Sequence, residues 1–133
     1  MPSKESNKGS TSLSPIKESI LTVLYRFGDS GLYNLHVLDE MQKADETFGR
    51  KKTSLGTFYP TVKRLEDKDG FIEGFWDSEE IKPGVKRRFL RITGAGVKAL
   101  LENRQYRAAL EGDERIEDLA IPSPGLAYSV AEA

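Results

Sequence analysis

The sequence predicts a mainly α protein with a small β wing, on three observations. Apolar residues recur at helical spacing in three successive segments between residues 15 and 68. Two runs rich in aromatic and β-branched residues follow, with a Pro-Gly pair between them. A last helical pattern, 95–111, closes the order. Three helices, a hairpin and one more helix is the order of a winged helix-turn-helix with one helix appended.

Each element has its own signal. Residues 1–13 are rich in Ser, Lys, Gly and Asn without periodicity, which predicts a disordered arm. Ser14-Pro15 is a helix start, Ser as N-cap and Pro at the first helical position. Ile16, Ile20, Leu21, Val23, Leu24 and Phe27 then give a helical stripe that GDSG at 28–31 ends. A second helix is expected from Tyr33 to Ala44, with Leu35, Leu38 and Met41 on one side. The loop ADETFGRKKT carries Arg50, Lys51 and Lys52 into the third helix, which begins after Ser54. At 100° per residue Leu55, Phe58, Val62 and Leu65 share one face of that helix. The other collects Gly56, Thr57, Pro60, Lys63, Arg64 and Asp67, with Thr61 and Lys68 at its edge. Pro60 removes a backbone donor and disfavours helix just before it, so periodicity alone allows either a late start near Pro60 or a kinked first turn.

Asp69-Gly70 ends this helix, and Phe71–Trp76 reads as a strand. DSEEIKPG reads as a turn around Pro83-Gly84, making a loop too long for a tight two-residue connection, and Val85–Ile92 reads as the returning strand. Thr93 caps the last helix, whose apolar side includes Val97, Leu100, Leu101 and Ala108. Residues 112–133, with Pro122 and Pro124, read as a flexible tail. The expected organisation is therefore arm 1–13, winged domain 14–93, helix 94–111 and tail 112–133.

Composition narrows the function. The 133 residues contain no cysteine, which removes disulfides, thiolate metal sites and cysteine nucleophiles together. His36 stands alone, so neither a metal site nor a cofactor is expected. No Ser/His/Asp constellation or Gly-rich phosphate loop is present, and the chain does not read as an enzyme. No apolar run reaches the roughly 20 residues of a membrane span, and the basic, polar start is no secretory signal, so the expected location is cytoplasmic. The net charge of −1 hides an asymmetry: residues 50–91 hold eleven Lys and Arg against seven Asp and Glu, while both flanks are net acidic. A basic middle between acidic flanks is the distribution expected of a surface that meets phosphates.

The stretch SLGTFYPTVKRLEDKDGFIE, 54–73, resembles the recognition helix and first wing strand of the PadR family of transcriptional regulators. Gly56, Thr57, Tyr59, Pro60, Arg64, Leu65, Glu66, Gly70, Ile72 and Glu73 fall on that pattern, with one extra residue before Gly70. A second stretch, KRRFLRITGAGVKAL, matches through Arg87, Arg88, Phe89, Arg91, Thr93, Gly96 and Leu100, and Tyr33 sits on the family's usual tyrosine. Leu90 and Gly94 depart from it. The resemblance covers about residues 14–110 and implies that Pro60 lies inside the recognition helix. It also implies the short form of the family, in which one helix after the wing makes the dimer.

Together these readings imply a homodimer on a pseudo-palindromic operator of double-stranded DNA, acting as a repressor. Thr57 and Thr61 are the expected base-reading groups, and Arg64 can reach a guanine or a phosphate. Lys63 is counted with the DNA-binding residues of the same outer face, and Tyr59, Arg50, Lys51 and Lys52 are the phosphate-directed ones. At the wing, Asp77, Glu79 and Glu80 would repel phosphate, leaving Lys82 and Lys86. Arg87 and Arg91 alternate with Arg88, so only one set faces the duplex; Arg88 is counted with the DNA-binding residues. The expected dimer contacts are Val97, Leu100, Leu101 and Ala108, assisted by Ile16 and Ile20. Trp76 is expected in the core or an interface. Nothing in the sequence indicates a small-molecule effector. The alternative reading is a winged-helix protein–protein interaction module with weak or no DNA binding, which the acidic wing and near-neutral charge would suit.

Overall fold

The computed structural model describes residues 12–112. Most of the expected arm and tail, residues 1–11 and 113–133, lies outside the described residues. The chain divides into a compact unit ending at Asn103 and a second beginning at Arg104, a break that falls within the last helix.

The elements follow the expected order. Helix α1 spans Pro15–Phe27 and is followed by a 3-10 turn at Gly28–Ser30 and the two-residue strand β1, Leu32–Tyr33. Then come α2 (Asn34–Thr47), α3 (Leu55–Asp67), β2 (Ile72–Lys82), β3 (Val85–Ile92) and α4 (Gly94–Glu111). The sheet order is β1-β3-β2, all antiparallel. No helix among the described residues is long and apolar enough to cross a membrane.

Local chemistry explains where the helices start. The Ser14 hydroxyl accepts from the Lys17 amide with Pro15 in the first turn, and the Ser54 hydroxyl accepts from the Thr57 amide. The Thr93 hydroxyl accepts from the Gly96 amide at 3.0 Å and donates to the Gly70 carbonyl at 2.7 Å, tying the end of β3 to the turn after α3. Gly96 is buried there, and a Cβ in its place would run into the Phe71 carbonyl, so only glycine fits without a shift.

The core is built from one side of each layer. Ile20, Leu21 and Leu24 of α1, Val37, Leu38 and Met41 of α2, and Phe58, Val62 and Leu65 of α3 meet Ile72, Leu90 and Leu100. Lys17 reaches Asp69 at 2.7 Å, and Arg26 donates to Glu40 at 2.8 Å, bracing α1 against the turn after α3 and against α2. That Arg26 hydrogen bond is the main influence holding the Glu40 carboxyl below its ordinary pKa.

Several expectations are corrected. Leu13, assigned to the arm, is buried in the core. Helix α2 buries Val37, Leu38 and Met41 while Leu35 is exposed, because the chain enters through β1 and Tyr33 is committed to the sheet. Leu55 is 50% exposed rather than core, since it opens α3 one turn before the buried stripe at Phe58. The wing is longer and its turn tighter than expected: β2 runs on to Lys82, which pairs with Val85 across Pro83-Gly84. Irregular register between Trp76 and Lys82 absorbs the polar segment read as a loop.

Candidate nucleic-acid interface

Helix α3 has two different sides. Phe58, Thr61, Val62 and Leu65 are buried, whereas Gly56, Thr57, Tyr59, Pro60, Lys63, Arg64 and Asp67 are exposed. Pro60 lies inside the helix. The carbonyl that its missing N–H would have bonded is that of Gly56, which shares the exposed side, so the defect falls where water can reach it. Tyr59 packs its ring on Phe58 at 5.5 Å between centroids yet is 42% exposed, an apolar body with a wet hydroxyl end. Lys63 pairs with Asp67 at 3.0 Å on the surface, a contact that water screens heavily.

The basic loop before α3 is fixed by its backbone rather than by its charges. One Asp45 carboxylate oxygen accepts from both the amide and the hydroxyl of Thr53, each at 2.9 Å. Gln42 donates to the Thr53 carbonyl, and the Arg50 amide donates to the Asp45 carbonyl at 2.7 Å. Arg50, Lys51 and Lys52 are left exposed at the entry to α3.

Across the wing, directly paired residues share a face. Glu73/Arg91 and Phe75/Phe89 lie on the outer face, Ile72/Ile92, Gly74/Leu90 and Trp76/Arg88 on the inner one. On the outer face Phe75 and Phe89 stack at 5.7 Å, Arg91 lies over Phe75, and Arg87 lies over Tyr33 and Phe89 while pairing with Asp77. Lys82 and Lys86 are exposed at the tip.

No protein-family model and no curated protein matches the chain. Solved structures do match. A PadR-like transcription factor from Bacteroides fragilis aligns with a TM-score of 0.58 at 20% identity, covering 80% of this chain and 88% of its own. A PadR family transcription regulator from Clostridium difficile gives 0.55 at 20%, covering 74% and 92%. A PadR-like transcriptional regulator from Bacillus cereus gives 0.54 at 25%, covering 72% and 84%. This chain has the PadR-like winged-helix fold.

Within that PadR-like fold, three expected site residues, Thr61, Ile20 and Leu100, are buried. Thr61 is 1% exposed; its hydroxyl donates to the Thr57 carbonyl at 2.8 Å and accepts from Arg64, so it supports the helix and has no surface to offer a base. Arg88 lies on the inner face of the wing, its guanidinium committed to Glu66 of α3. Ile20 and Leu100 are fully buried within the protomer, which removes both from any contact with a second copy. Ile16 and Val97 are half-buried, while Leu101 and Ala108 are exposed. Trp76 is neither core nor covered, at 59% exposure, with Arg88 above its ring. The Glu66–Arg88 pair escaped sequence reasoning, because alternation assigns Arg88 a face without saying what lies opposite it.

Proposed function

We propose that this chain is a DNA-binding transcriptional regulator that acts as a homodimer on a pseudo-palindromic operator, repressing by occupying it. The observation that carries this is the division of α3: a buried apolar stripe on one side, and Thr57, Tyr59, Lys63 and Arg64 exposed on the other. Such a helix, lying in a major groove, presents hydroxyl and guanidinium groups to base edges. Exposed Arg50, Lys51 and Lys52 precede it, suited to phosphates that fix its register. The PadR-like relatives are themselves described as transcription regulators, which supports the same reading.

The acidic wing favours a protein-binding alternative less than its composition suggests. The Asp77 carboxylate is paired with Arg87 at 3.2 Å, while Lys82 and Lys86 stand exposed at the tip. A dimer is supported by α4. Tyr106 and Leu110, one turn apart on α4, are 62% and 69% exposed. Leu101 and Ala108 are also exposed.

Titration of duplex DNA from upstream of the chain's own coding region, against a scrambled duplex and over a range of salt, tests the proposal. Preference for the upstream duplex with a steep salt dependence is the expected result. Absence of binding to either duplex at low salt overturns it.

A further inference from the structure

The inner face of the wing leaves the core in steps. Ile72 is buried against the helices, and Leu90, opposite Gly74, is 1% exposed. The next pair, Trp76 and Arg88, has passed the edge of the core, yet Arg88 is not directed into water. Its guanidinium donates to the Glu66 carboxylate of α3 and lies 5.2 Å above the Trp76 ring. The two charged side chains are only 29% and 23% exposed, so this pair is shielded far more than Lys63–Asp67, whose side chains are 80% and 59% exposed.

Gly74 makes this arrangement sterically feasible. A Cβ at that position would occupy the space of the Arg88 guanidinium and come within 2.9 Å of the Glu66 carboxylate. Residue 74 is neither at a turn nor among the described positive-φ glycines, so backbone conformation does not demand glycine here. The demand is for room. Beyond Trp76 the register of the hairpin becomes irregular, and Val85 and Lys86 of its returning strand are exposed. The clasp is therefore a side-chain tie from α3 to the strand that returns from the wing tip.

We propose that Glu66, Arg88 and Trp76 form a positioning clasp that sets the angle of the wing to α3, with Gly74 the residue that admits it. Arg88 then acts on DNA only through Glu66, by holding Lys82 and Lys86 where they meet the same duplex as Lys63 and Arg64. The proposal rests on the DNA-binding reading above.

The test uses the full chain, the upstream duplex and four variants: Glu66→Gln, Arg88→Gln, Gly74→Ala, and the exchange Glu66→Arg with Arg88→Glu. Trp76 is the chain's one tryptophan, so its emission and its quenching by iodide report the clasp without DNA. Each of the three single variants should alter Trp76 quenching and raise Kd about tenfold. The exchange should recover most of that affinity, and the salt slope should stay at the wild-type value because the protein still neutralises the same phosphates. Glu66→Gln, nearly isosteric, keeps the test open should Gly74→Ala fold poorly. If Arg88 instead touches phosphate, its removal flattens the salt slope by about 0.9, and the exchange weakens binding further; that outcome overturns the clasp. Variants that bind as the wild type does also overturn it. Wild-type protein that binds neither duplex overturns the DNA reading itself, and the positioning role with it.

Discussion

Arg64 and Thr61 are neighbours on one helix, and burial gives them opposite tasks. The exposed Arg64 touches the buried Thr61 hydroxyl at 3.4 Å, a long hydrogen bond that leaves the guanidinium able to turn outward. Arg64→Ala should weaken binding to a cognate duplex by roughly 1–3 kcal/mol with circular dichroism unchanged; equal affinity would show that this side of α3 does not meet DNA. Thr61→Ala should do the reverse, lowering stability by about 1–2 kcal/mol in denaturant titration while leaving base preference alone. The helical wheel sets Thr61 at the border between the two sides and Leu55 within the core, and both assignments fail for one reason. A wheel gives angle, but not how far the opposing layer extends along or around the helix. Arg64, Lys63 and Thr57 are legible because they sit well inside the polar arc.

The loop ahead of α3 and the wing show the same limit at the level of elements. Hydrogen bonds from Thr53 to Asp45 and from Gln42 to the Thr53 carbonyl fix the loop backbone, so its three exposed cations have a defined place. Replacing Arg50, Lys51 and Lys52 together by Gln should weaken specific and non-specific duplex binding alike. The slope of log K against log salt should become shallower by about 0.9 for each phosphate that is no longer neutralised; a parallel plot would mean that the loop points only into water. Helix order, the Ser14 and Thr93 N-caps and the returning strand are legible, since caps and alternation are local signals. The outer half of the wing is not. A two-stranded ribbon in solvent has both faces wet, so DSEE carries no alternation and reads as turn although it is extended. Strand β1, two residues long, has no period to detect, yet it completes the sheet through Leu32/Leu90 and Tyr33/Phe89.

Assembly belongs to the whole molecule, and here burial changes which substitution is informative. Leu100 is fully enclosed by its own protomer, so a charge there would test folding and report nothing about a partner. Leu101 is 39% exposed and Leu110 69%, and neither contributes to the buried core. Tyr106 and Leu110, 62% and 69% exposed one turn apart, present an apolar face that a two-fold copy would cover. A dimer would also place two α3 helices about one DNA turn apart, roughly 34 Å, so the operator's symmetry would follow from the protein's. Tyr106→Ser with Leu110→Asp, one turn apart on the same face, should therefore give a folded monomer with circular dichroism unchanged and affinity reduced to that of one half-site. Sedimentation equilibrium at micromolar concentration decides: a monomeric wild type, or a double variant that stays dimeric, would place the interface elsewhere than α4.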